Sequence, residues 1–138
     1  MKTEVRFFSA LVSLIIMFGC IDMGSEPKEV PPDGSSVFAD DIQPIFDISC
    51  ALSGCHVSSA LRPPDLRDGQ SYLEIVDVES SGFAPLKLVK PTKPEESVIY
   101  LKILGDQSTG SRMPPGGTLS DASILAIRTW IEAGAKNN

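Results

Sequence analysis

The sequence predicts an all-α domain over residues 38–138. Three observations lead there. Apolar residues recur at helical spacing at both ends of that segment, strand signals are weak, and long Pro/Gly-rich stretches separate the periodic parts. The chain has 138 residues, with 11 Gly, 11 Pro, 3 Cys and 1 His. That is room for one domain of ordinary size. No internal repeat is visible.

The first segment reads as an address. Lys2 and Arg6 precede an uncharged, mostly apolar run from Phe7 to Cys20. The run is too short for a comfortable transmembrane helix and fits a secretory signal. It closes on Gly19-Cys20, a small residue directly before a cysteine, and so resembles a bacterial lipobox. Met17 and Phe18 depart from that pattern, which usually has Leu and a small residue in those places. The expectation is a signal peptide over 1–19 and a lipidated Cys20, giving an exported chain, periplasmic or cell-surface, anchored to a bacterial membrane. Residues 20–37 then form the lipidated cysteine and a flexible tether. Their three prolines and four acids, with almost no apolar periodicity, cannot bury a core.

The charge balance of 12 basic and 18 acidic residues gives −6, which offers no attraction to nucleic acid. Loss of Lys2, Glu4 and Arg6 with the signal leaves 10 basic and 17 acidic residues, a net −7. Such a surface suits solubility and a partner with a basic docking face, and reads first as an ordinary solvated surface.

Phe38, Ile42, Ile45, Phe46 and Ser49 make a helical stripe ending at Cys50. Asp40 or Asp41 suits its start, and Pro44 is tolerable only in its first turn. Residues 57–70 read as loop. Ser71 is expected to cap a short helix through Tyr72, Leu73, Ile75 and Val76. Residues 80–94 are loop again. Glu95 to Leu104 is a second helical pattern, with Val98, Leu101 and Ile103 or Ile99 on its apolar side. Residues 105–117 form a loop, and Ser120 caps the clearest helix of the chain. Ile124, Ile127, Trp130 and Ile131 make its apolar face, and Gly134 ends it. Four short helices are a thin core for so much loop, so a disulfide, a metal or a large apolar cofactor should hold it.

The segment Cys50-Ala51-Leu52-Ser53-Gly54-Cys55-His56 gathers two thiols and the only imidazole within seven residues. Two thiols can form thioethers to the two vinyl groups of haem, and a histidine directly after the second is held under the iron. The usual spacing is C-x-x-C-H, and here four residues separate the cysteines. The same pair could form a Cys50–Cys55 disulfide, which an exported compartment permits. A zinc site would need a fourth ligand from Asp or Glu. One histidine excludes any bis-histidine site.

Of four methionines, only Met113 lies in the folded part, in the loop Arg112-Met113-Pro114-Pro115-Gly116-Gly117. A thioether is a suitable second axial ligand for haem iron. The two prolines restrict the backbone behind it. Gap-filling against the core is the alternative for such a methionine. Trp130 and Tyr100 sit on apolar helical faces and read as core packing. Arg112 reads either as a partner for a haem propionate or as a solvated loop arginine.

Over residues 38–138 these features together resemble a small monohaem c-type cytochrome domain of the class I kind, closest to the planctomycete-type and related domains. The resemblance runs through Ile42-Gln43-Pro44-Ile45-Phe46 and Pro94-Glu95-Glu96-Ser97-Val98-Ile99-Tyr100. It continues in Met113-Pro114-Pro115 and Trp130-Ile131-Glu132-Ala133-Gly134-Ala135. It implies N- and C-terminal helices packed across each other beside one covalent haem c. Cys50 and Cys55 would carry the thioethers, with His56 and Met113 as the axial iron ligands. The C-x-x-x-x-C-H spacing departs from the family's usual one. The function implied is one-electron transfer to and from a redox partner protein, not enzymatic catalysis. A haem-based sensor or ligand-binding module, and a haem-free surface lipoprotein with a Cys50–Cys55 disulfide, are the alternatives.

Overall fold

The computed structural model describes residues 35–58, 60 and 62–138. The expected signal segment 1–19, the expected lipidation site Cys20 and most of the expected tether lie outside the described residues. Within them the chain forms four short α-helices joined by long loops, and no helix is long and apolar enough to cross a membrane. The domain is all-α. Its β-like features among the described residues are three isolated bridges, Val76 with Val89, Glu79 with Lys87 and Lys87 with Ser97.

The first helical run starts with a π-helical turn over Phe38–Ile42 and continues as α1, Gln43–Ser49. Pro44 sits in the first turn of α1 and has no N–H to extend a ladder backwards. Immediately before it the bonds open to a longer span, with the Gln43 N–H donated to Phe38 O. Asp41 accepts from the Val37 N–H at 2.8 Å and ties down the entry. Phe38, Ile42, Ile45 and Phe46 are all buried, as the apolar stripe requires. Folded structure begins slightly earlier than the sequence suggests. Ser36 is buried, and its hydroxyl pairs with that of Thr129 at 2.9 Å.

α2 is Ser71–Ile75. Ser71 is not its cap. It is the first helical residue, and its buried hydroxyl donates to the Gln43 side chain. The loop after α2 is pinned by Val89, which accepts from the Asp77 N–H at 2.9 Å and donates to Ile75 O at 3.0 Å. A 3-10 turn over Pro94–Glu96 leads into α3, Val98–Leu104. Gly105, at φ 75°, ends α3 in the left-handed region. α4 is Asp121–Glu132. Ser120 caps it, its hydroxyl accepting from the Ser123 N–H at 3.1 Å.

The first helical run and α4 meet through aromatic rings. Phe38 lies 5.2 Å from Trp130 and 5.2 Å from Tyr72, centroid to centroid, with Phe46 at 6.4 Å. These spacings are favourable for tilted and edge-to-face pairs. Trp130 is fully buried, and its indole N–H donates to Lys136 O at 2.9 Å. Tyr72 donates its hydroxyl to Ala135 O at 2.9 Å. The first helical run and α4 therefore pack together through Phe38 and Trp130, with Tyr72 of α2 against the same ring. Buried polar groups in the loops are satisfied locally. Ser97, for example, accepts from the Lys90 N–H and donates to Lys93 O, each at 2.8 Å.

Candidate functional site

On another side of this core lies a cavity of about 670 Å³, within the ~300–1,000 Å³ range of small-molecule and cofactor pockets. Phe46 from α1, Val98 and Ile103 from α3, and Leu119 and Ile127 at α4 give it apolar walls. Cys50, Cys55, His56 and Met113 all line it. Residues 57 positions apart in sequence are thus brought to one space. Cys20 lies outside the described residues.

Local structure explains how the cysteine segment folds back on itself. Cys50 follows α1 directly and donates its N–H to Phe46 O at 2.8 Å. Cys55 N–H reaches Leu52 O at 2.8 Å, and His56 N–H reaches Cys50 O at 3.1 Å. Gly54 makes the reversal at φ 79°, a conformation that favours a residue without Cβ. Both cysteines are free thiols and only partly exposed. Burial, with the neighbouring Cys55 adding to it, pushes the Cys50 thiol up to about 11. Cys50 therefore stays protonated at neutral pH and is a poor thiolate.

The imidazole is oriented by a strap of backbone. His56 Nδ1 lies 3.2 Å from both Arg62 O and Pro64 O. A carbonyl oxygen only accepts, so Nδ1 carries a proton here, and in the neutral ring that tautomer puts the lone pair on Nε2. This is the arrangement in which a histidine ligates metal through one nitrogen while the other is held by a carbonyl. The Leu66 N–H then donates to His56 O at 2.9 Å and closes the strap onto the same residue.

Met113 is held opposite in sequence terms by α3. Its N–H donates to Lys102 O at 3.0 Å, and Lys102 Nζ donates to Thr109 O at 2.7 Å. One lysine thus fixes the loop before the methionine through its backbone and its side chain. The same ammonium lies 4.9 Å from the centre of the Phe83 ring, which also lines the cavity.

Two thiols, an imidazole and a thioether on one cavity are donors of the kinds that can hold a haem. Among the described residues, no group of three or more His, Cys, Asp or Glu is placed to hold a metal ion. Arg112 does not line the cavity. Its guanidinium donates to Leu104 O at the end of α3. Arg62 does line it, and nothing in its loop context singled it out. Trp130 and Tyr100 are absent from the lining, consistent with packing roles.

No protein-family model and no curated protein matches the chain. Among solved structures, hydrazine synthase of Kuenenia stuttgartiensis is a distant neighbour. It matches 72% of this chain at 25% identity, with a TM-score of 0.50. The chain spans 16% of that protein's length.

Proposed function

We propose that this protein is an exported, membrane-tethered electron carrier with one covalent haem c in the cavity. The observation that carries the reading is the convergence on one apolar cavity of both thiols, an imidazole whose Nδ1–H is already bonded, and Met113. Cys50 and Cys55 would hold the group by thioethers, and His56 Nε2 and Met113 Sδ would ligate its iron. The bound group supplies a one-electron Fe(II)/Fe(III) couple. The chain's residues do the rest. The strap carbonyls orient the imidazole, the 109–113 loop presents the sulfur, and Phe46, Leu66 and Ile127 keep water from the walls. Sulfur ligation and low polarity both favour the reduced state.

With His56 and Met113 both ligating the iron, no position would be left open to a substrate, and the reading is not that of an enzyme. The partner is a redox protein with a basic docking face, complementary to the acid-rich chain, and nucleic acid is not a partner. Cys20 would carry the lipid. Exposing the reduced protein to carbon monoxide tests the assignment. The carrier reading expects little binding by the wild type and ready binding by Met113→Ala. Ready binding by the wild type would make the site a gas sensor instead.

A further inference from the structure

We propose that Gln43 is a positioning residue for the axial imidazole, its buried amide fixing the strap that bonds His56 and so tuning the potential of the iron. This inference rests on the haem reading above.

Gln43 is almost fully buried at the start of α1. Its amide is used in three directions. Nε2 donates to Asp47 Oδ1 at 2.8 Å and to Leu66 O at 3.1 Å, and Oε1 accepts from the Ser71 hydroxyl. Burying an amide is costly unless it is bonded, so a fully engaged one is rigid in its place.

The bond to Leu66 connects this amide to the site. Leu66 ends the strap whose Arg62 and Pro64 carbonyls accept the His56 Nδ1–H. Its own N–H is bonded to the His56 carbonyl. Gln43 therefore grips a residue already tied to His56, from a helix that ends at the first thiol, Cys50. The same amide spans the thiol-bearing helix, the imidazole strap and α2.

A hydrogen bond from Nδ1–H to a carbonyl raises the basicity of Nε2. A more basic ligand stabilises Fe(III) and lowers the potential. When the strap is loosened, that bond lengthens or yields to water, and the potential should rise.

The test compares three haem-loaded variants of the full chain with the wild type. Gln43→Leu removes the grip, and Gln43→Asn keeps an amide but withdraws it by one methylene. Both should raise the potential and speed solvent exchange of the His56 Nδ1–H by about tenfold, the change that losing one hydrogen bond's worth of protection, about 1.4 kcal/mol, gives. Ser97→Ala removes a buried hydroxyl that bonds Lys90 and Lys93 and touches neither Gln43 nor the strap. It should leave potential and exchange at wild-type values, whatever it costs in stability. Wild-type potential and exchange in both Gln43 variants, or equal shifts in Ser97→Ala, would overturn the inference while leaving the haem reading intact. A wild-type chain that carries no haem after expression with a cytochrome maturation system would overturn both.

Discussion

Replacing Phe38 by alanine removes the ring that joins the two ends of the fold. Phe38 is 6% exposed and lies in contact with Trp130, Tyr72 and Phe46. A phenylalanine buries at least ~150 Å², worth about 4 kcal/mol at ~25 cal/mol per Å². Measured core Phe→Ala losses of about 3–5 kcal/mol agree. The backbone bond at this position survives, because Phe38 N–H reaches the Asn138 side chain independently of the ring. With a urea dependence of about 2 kcal/mol per molar, the midpoint should fall by roughly 2 M. Trp130 is the chain's single tryptophan and is 1% exposed, so its emission reports the transition directly. Leu73, 76% exposed, is the control, and Leu73→Ala should stay within about 0.5 kcal/mol. A loss below about 1 kcal/mol at Phe38, or an equal loss at Leu73, would refute the packing argument.

Met113→Ala should lower the reduction potential by on the order of 0.1 V, a fraction of the ~0.8 V span that axial ligands cover. An unchanged potential and spectrum would show that Met113 is not the ligand. Gly105→Ala should cost about 1–2 kcal/mol from left-handed strain alone. Its new Cβ would also fall 2.5 Å from Arg112 Nε and displace the guanidinium from Leu104 O. Chemical denaturation measures this, and a neutral effect would contradict the strain argument. Acid should also weaken the fold. The Arg67 guanidinium bonded to Asp65 holds that carboxyl below its usual range, as Lys90 does for Glu96 and Ser108 for Asp106. A depressed folded value contributes stability above the unfolded value of ~4, lost as pH falls through the folded one. Asp65→Asn should therefore flatten the acid limb of stability against pH, and an unchanged limb would refute it.

What could be read in advance follows from which interactions are local. The stripe from Phe38 to Phe46 and the face from Ile127 to Ile131 obey helical spacing, so their burial was legible. Ser120 was legible as a cap because capping is settled within four residues. Ser71 has the same chemistry at the start of a helix, but its hydroxyl is claimed by Gln43, 28 positions away. No local pattern carries that. Val89 and Thr109 are buried in aperiodic loops, where periodicity has nothing to act on. In the site, Cys50, Cys55 and His56 announce themselves by adjacency, and Met113 by being the one methionine left. The strap at 62–66 does not, because its contribution is made by backbone carbonyls. Arg62 entered the cavity with that strap, while Arg112, the arginine beside Met113, turned instead to the end of α3.

The central claim is covalent haem at Cys50 and Cys55. A visible spectrum and an intact mass of the mature chain, expressed with a cytochrome maturation system, test it together. Covalent haem gives bands that persist after denaturation and a mass greater by one haem than the polypeptide with its lipid. A chain without haem absorbance, two hydrogens lighter than its reduced form, would mean a Cys50–Cys55 disulfide and would contradict the account.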